Sequence, residues 1–337
     1  PYGAYLNLRE TEDAIKYIKD TFQARLAEAL NLQRVSAPMI VKSSSGVNDH
    51  LDGVQKPVAF PVKALNETAE VVQSLAKWKR AALADYGFDV GEGLFTDMNA
   101  LRPDENLDNF HSVYVDQWDW ELCLDAAQRR VEVLKDVVRR IYAVIRDVER
   151  DVCQHYPALP DPYLPEEIAV IHSQELEDRY PGMTPKERET AFCREHGAGF
   201  VIGIGAQLES GEPHDERAAD YDDWISDNED GFKGLNGDIL VWYPMLSCAM
   251  ELSSMGIRVD PESLLAQLEA KGETEKRGKP FHRRLLDGGL PQTIGGGIGQ
   301  SRLCMLLLRK AHVGEVQSCV WPDEMKCHCQ EHGITLL

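Results

Sequence analysis

Residues 94–120 read LFTDMNALRPDENLDNFHSVYVDQWDW. Two β-rich runs, LFTDMNALRP and SVYVDQWDW, flank the polar turn DENLDN, and this pattern predicts an antiparallel hairpin. Arg102, at the end of the first run, can fork onto a phosphate or a carboxylate through two parallel bonds. Glu105 stands three residues on and could accept from an adenine amino group. The plainer alternative is a surface Arg–Glu pair in a turn.

Toward the N-terminus, Ile15, Ile18, Phe22, Leu26 and Leu30 form one apolar stripe, which predicts an amphipathic helix over residues 11–30. Glu12 and Asp13 fall in its first turn, where the helix dipole favours negative charge. QRVSAPMIVK then reads as a strand interrupted by Pro38, and so as an edge or interface strand. SSSGVNDHLDG (43–53) is a loop of turn formers. VAFPVK and EVVQS read as strands, and LAKWKRAALADY as a helix.

Toward the C-terminus, residues 121–155 carry the strongest helical pattern, with Val131, Leu134, Val138, Ile141, Ile145, Val148 and Val152 spaced alternately by three and four. This spacing suits a coiled-coil seam or, as the preferred reading, a long helix packed on a sheet. PALPDPYLP is a stiff connector. IAVIHS, FVIGIG, GDILVWYPML and AMELSSMGIRV read as strands, PKERETAFCREHG and PESLLAQLEAKG as helices, and residues 206–223 as a polar loop. Neighbouring strands with irregularly interspersed helices indicate an α+β fold: a mostly antiparallel sheet flanked by helices, in one domain over residues 1–337.

The chain has 337 residues, 43% of them hydrophobic and 27% charged, enough for a large core. A net charge of −20 disfavours a phosphate-backbone partner such as RNA or DNA. KWKR (77–80) and the 139–140 arginine pair are too short to offset it. No apolar run is long enough to span a bilayer and no signal-peptide pattern opens the chain, so a cytoplasmic protein without a membrane partner is expected. The eight cysteines form no disulfide framework. Cys327, Cys329 and His332 could ligate zinc, but no fourth ligand is evident.

GGGIGQSRLCMLLLRK (295–310) reads as a glycine turn opening an apolar helix. It lacks the G-K-[ST] ending of a phosphate-binding P-loop, and Gln292-Thr293-Ile294 is too short to be the strand that a dinucleotide fold requires. What remains is a turn that sets Arg302 just inside a helix, or a turn that serves only packing.

Pro38 in a strand after a long helix, Arg102-x-x-Glu105 in a hairpin, and Gly297-x-Gly299-x-x-Arg302 opening a helix resemble, in order, the three signatures of the class II aminoacyl-tRNA synthetase catalytic fold. LAKWKR (75–80), residues 91–105, HSVYVDQWDWE (111–121), HSQEL (172–176), DYDDW (220–224), LNGDILVW (235–242), ELSSMGIRVD (251–260) and PQTIGGGIGQSRL (291–303) resemble the ammonia-dependent asparagine synthetase, or aspartate–ammonia ligase, family. The resemblance runs nearly end to end. Departures lie mainly in loops, in SSSGV before Asn48-Asp49 and in the shortened DENLDNF turn.

That resemblance implies activation of the aspartate side-chain carboxylate by ATP as an adenylate, then attack by ammonia, in a homodimer built around the first helix and the Pro38 strand. It places Arg102 across the α-phosphate and reacting carboxylate, Arg302 on the outer phosphates and Glu105 on adenine. Asp238 and Glu251 would hold Mg²⁺. Lys79 would meet the α-carboxylate of L-aspartate and Asp119 its α-ammonium, with Ser74, Gln117 and Ser254 as neutral partners. Asp49 and Gln117 would hold ammonium or take its proton, with Asp222 nearby. Trp78, Trp118 and Trp120 read as core. None of the cysteines suits a glutaminase, which leaves ammonia as the nucleophile. A true tRNA synthetase would need an anticodon-binding domain and a basic face. An amino-acid sensor would have lost its phosphate-binding groups.

Overall fold

The structure is a computed structural model that describes residues 2–49 and 56–337. The end of the 43–53 loop therefore lies outside the described residues. Helix α1 (Leu8–Leu30) starts ahead of the expected Thr11 because Asn7 caps it. Asn7 Oδ1 accepts from the Glu10 N–H at 3.0 Å, and Glu10 accepts in return from the Asn7 N–H at 2.9 Å. Ile18, Phe22, Leu26 and Leu30 are buried as the stripe required, and the Phe22 ring lies 4.6 Å from that of Trp118. Each such side chain stabilises the fold by roughly 1.5–3 kcal/mol.

The segment around Pro38 forms two strands, β1 (Leu32–Arg34) and β2 (Ile40–Lys42), in different sheets and each at an edge. Strands β3 (Ala59–Val62) and β4 (Glu67–Val71) complete the small sheet, in the order β2-β4-β3. After helix α2 (Ala76–Tyr86) comes the expected antiparallel hairpin, β5 (Gly93–Leu101) and β6 (Tyr114–Cys123). Residues 121–123 belong to β6, so the long helix α3 begins later than its pattern suggested, at Val131–His155. Strand β7 (Ala169–His172), helices α4 (Ser173–Arg179) and α5 (Pro185–His196) and strand β8 (Ala198–Ile202) follow. Helix α4 had no forecast in the sequence reading. The chain continues through β9 (Asn236–Tyr243), β10 (Cys248–Ile257), α6 (Pro261–Ala270), α7 (Pro280–Leu286), β11 (Thr293–Gly299), α8 (Gln300–Leu307) and α9 (Asp323–Glu331).

The glycine run thus overturns one expectation, for it is a strand and not a turn. β11 lies inside an eight-stranded sheet ordered β1-β5-β6-β11-β10-β9-β8-β7. Among the described residues only β1/β5 and β7/β8 are parallel pairs. The main core fills one face of this sheet, where Phe22 of α1, Ile145 of α3 and Leu303 of α8 share one apolar cluster with Trp118 and Trp120. α3 packs on α1, and its buried Glu149 accepts from the Tyr163 and Leu164 N–H groups, which holds the proline-rich connector. On the other face α2 covers β5, β6 and β11, while α5 covers β8 to β10. Between those two covers the sheet is open. No helix among the described residues is long and apolar enough to cross a membrane.

Candidate active site

The open part of the sheet is the floor of a cleft of about 450 Å³. All the expected site residues but Asp238 line it. Strand alternation sorts the residues of β6: Trp118 and Trp120 enter the core, while Gln117 and Asp119 line the cleft and Glu121 lies buried beneath it. On β10 a bulge between Glu251 and Ser253 shifts the alternation, so that Glu251 and Ser254 both line the cleft despite their three-residue spacing.

Glycine is required on the strand between them. A Cβ on Gly297 would stand 2.2 Å from Gln117 Oε1 and 2.8 Å from Asp119 Oδ1. On Gly295 it would stand 1.9 Å from Glu121 Oε2. The bare strand therefore leaves room for polar side chains of its neighbours to lean across it.

At this end of the cleft, charged groups are packed together. Lys79, from α2, donates to the Gly296 carbonyl at 2.9 Å and pairs with Asp119 at 3.2 Å. Burial lowers the Lys79 pKa, against the opposing pull of Asp119 and Glu121. Glu121 accepts from Arg258 Nε at 2.9 Å and from Arg258 Nη2 at 2.8 Å. Burial would raise the Glu121 pKa, but Arg258 and Lys79 outweigh it and hold the carboxyl low. Arg258 Nη1 donates to Asp222. Burial raises the Asp222 pKa despite that contact. Lys77 and His282 each reach Asp220 Oδ2 at 2.8 Å, which fixes the loop carrying Asp222 to α2 and α7.

The other end presents cations with few partners. Arg102 Nη2 donates to the Gln73 carbonyl at 3.4 Å, and its buried Nε has no partner among the described residues. The Glu105 N–H bonds to the Arg102 carbonyl at 3.3 Å, a turn that keeps both side chains on the cleft wall. Arg302 Nη1 donates to the Glu251 carbonyl at 3.0 Å. Neither arginine forms an ion pair with a carboxylate among the described residues. An anion is the partner such a site lacks.

Asp238 sits just behind the lining, held by Arg217, which does line the cleft. Burial and the nearby Glu251 charge push its pKa up to about 6, against Arg217. Its Oδ1 is buried without a hydrogen-bond partner among the described residues. Two hard carboxylates held together, one with an unused oxygen, suit Mg²⁺, which completes its shell with water and phosphate oxygens. Among the described residues no cluster of three or more metal-ligating side chains exists, Cys327, Cys329 and His332 included.

Sequence reasoning left Arg217, Glu121 and Arg258 without roles. The period of two could have found the last two: Glu121 follows Gln117 and Asp119 at alternate positions, as Arg258 follows Ser254 and Gly256. Arg217 lies in an irregular loop and leaves no such trace.

The aspartate-ammonia ligase family profile matches residues 9–333. The chain is 56% identical to an aspartate–ammonia ligase of Clostridium perfringens, over 100% of this chain and 97% of that one. It is equally identical to one of Bacillus cytotoxicus, over 99% of each. Among solved structures, asparaginyl-tRNA synthetase from Pyrococcus horikoshii complexed with asparaginyl-adenylate superposes with a TM-score of 0.69 at 15% identity, covering 93% of this chain and 70% of that one. Aspartyl tRNA synthetase from Entamoeba histolytica gives 0.62 at 15% identity, covering 91% and 58%. These likenesses identify the fold as that of the class II aminoacyl-tRNA synthetase catalytic domain. With the family profile spanning nearly its whole length and relatives matching it end to end, the chain belongs to the aspartate–ammonia ligase family.

Proposed function

We propose that the chain joins ammonia to the side-chain carboxylate of L-aspartate through β-aspartyl-AMP, giving L-asparagine, AMP and pyrophosphate. A carboxylate has no leaving group for ammonia to displace. In the proposed first step a carboxylate oxygen attacks the α-phosphorus of ATP and pyrophosphate departs. Ammonia then attacks the acyl carbon and AMP departs.

Arg102 would lie across the α-phosphate and the reacting carboxylate, where charge concentrates in the transition state. Arg302 would bind the outer phosphates and Glu105 the adenine amino group. Lys79 and Arg258 would offer positive charge to the α-carboxylate, and Asp119 would take the α-ammonium. Ser74, Gln117 and Ser254 would supply neutral hydrogen bonds, with Asp222 beside them. Asp49 and Gln117 would hold ammonium, and the Asp49 carboxylate is the one of the two able to accept its proton. Asp238 and Glu251 would hold Mg²⁺, which when bound supplies positive charge to the phosphate oxygens.

The observation that carries this reading is the pair Arg102 and Arg302. Both face one cleft without carboxylate partners among the described residues, in a chain of net charge −20. A homodimer is part of the proposal, and Met39 (55% exposed) and Ile40 (46%) beside the Pro38 edge give it an apolar patch to cover.

Aspartate labelled with ¹⁸O in its side-chain carboxylate tests the intermediate. Adenylation transfers one labelled oxygen to AMP. Formation of ADP and labelled inorganic phosphate would instead indicate an acyl phosphate and refute the adenylate.

A further inference from the structure

Glu121 has no place in the mechanism above, yet it is fully buried, and Arg258 and Lys79 hold its pKa down against that burial. Its two oxygens take the Nε and Nη2 edge of Arg258 as a fork, and Oε1 also accepts from Thr293 Oγ1 at 2.7 Å. Oε2 lies 3.8 Å from Lys79 Nζ. The neighbouring strand offers glycine at position 295, where any side chain would occupy the place of Oε2. Glu121 itself does not line the cleft, whereas Arg258 and Lys79 do.

The hydrogen-bond inventory of Arg258 gives the consequence. A guanidinium has five N–H groups. Glu121 takes two of those in Arg258 and Asp222 takes one. This leaves one N–H on each Nη without an acceptor among the described residues. A bidentate carboxylate on one edge fixes the plane of a guanidinium, and so fixes where the other edge points. Without Glu121, Asp222 would be the one carboxylate among the described residues left on Arg258, beside the Tyr221 ring beneath its guanidinium, and Asp119 the one left on Lys79.

We propose that Glu121 is a positioning residue for the amino-acid end of the site: its fork on Arg258, with Thr293 behind it and Lys79 beside it, sets the direction of the unused Arg258 N–H groups and thereby the affinity for aspartate, while leaving ATP binding alone. This builds on the function proposed above, because it takes the ligand at that end to be aspartate. The carboxylate of Glu121 never meets the substrate. Its effect passes through Arg258 and Lys79.

Direct binding of L-aspartate, measured by calorimetry on the full chain, is the test, with ATP binding measured in parallel. Glu121→Gln keeps the shape but replaces one acceptor by an amide that faces guanidinium donors. The expected result is an aspartate Kd raised by about tenfold or more, an ATP Kd within about twofold of wild type and, in turnover, a raised KM for aspartate with kcat little changed. Thr293→Val removes only the hydroxyl donor to Glu121 and should raise the aspartate Kd by about two- to fivefold. If Glu121→Gln does not fold, Thr293→Val decides alone, and an unchanged aspartate Kd there overturns the proposal. So does a variant in which aspartate and ATP binding fall together, since that marks a structural role. A wild-type chain that binds aspartate but makes no asparagine would end the ligase reading and leave this inference to be judged by the Kd ratios. A wild-type chain that does not bind aspartate overturns both.

Discussion

Gly296 and Gly297 differ by one position and by what stands next to them. A Cβ on Gly297 would meet the ends of two side chains, Gln117 and Asp119. A Cβ on Gly296 would meet the body of β10, with Met255 Cβ at 2.6 Å and the Ser254 carbonyl at 2.8 Å. Gly297→Ala should therefore fold with a modest loss of stability while kcat/KM for aspartate falls by about 100-fold, because Gln117 and Asp119 must turn away. Gly296→Ala should cost about 1–3 kcal/mol in denaturant unfolding, since backbone has to move. At Asp238 the relevant variable is pH. Burial and the Glu251 charge push its pKa up to about 6, so as pH falls into that range the group takes a proton and loses the charge that would hold a divalent cation. Mn²⁺ used as a spectroscopic stand-in should bind more weakly below pH 6, and Glu251→Gln should move the inflection to lower pH by removing one of its causes. Metal-free stability runs the other way. The raised pKa favours the fold while Asp238 is protonated, and that contribution is lost as pH rises through about 6. The residue types of this site were legible from the resemblance. Arg217 was not, because nothing in an irregular loop links its position to a face.

At the scale of elements, periodicity worked where one face is buried and misled where both faces carry function. The stripe of α1, apart from a half-buried Ile15, and the seam of α3 reappear as buried residues because water is excluded along one side of each helix. Phe22→Ala should cost about 3–5 kcal/mol in chemical denaturation, a value set by its burial against Trp118 and independent of ligands. Glycine is poor in strands by intrinsic preference, so residues 295–299 read as a turn. They form a strand because the two flanking strands supply both backbone ladders and fill the space above it with their own side chains. Residues 121–123 were joined to the following helix for a similar reason: a buried Glu121 looks like a helical surface position until Arg258 is seen opposite it. The bulge in β10, which brings Glu251 and Ser254 to one face, left no signal in composition.

Over the whole molecule, a strongly acidic chain encloses a cleft with arginines at one end and a balanced cluster of lysine, arginine and carboxylates at the other. This division suits the proposed substrate pair, a polyanion and a zwitterion. The hairpin, the flanking helices and the mostly antiparallel sheet were legible in the sequence. The walls of the cleft were not, because they come from irregular segments such as 105–113 and 215–222 that carry no periodic signal. The proposed homodimer should appear in light scattering at micromolar concentration as twice the chain mass, and Ile40→Asp should shift it toward monomer. The central claim is that Arg102 serves aspartate activation for amination. Pyrophosphate release with ATP, Mg²⁺ and aspartate, with and without ammonium, tests it on the wild-type chain and on Arg102→Ala. The account predicts ammonium-dependent release with asparagine formed, reduced by at least about 100-fold in a variant that still folds. Equal release by wild type and variant, or no release with any nitrogen source, would contradict it.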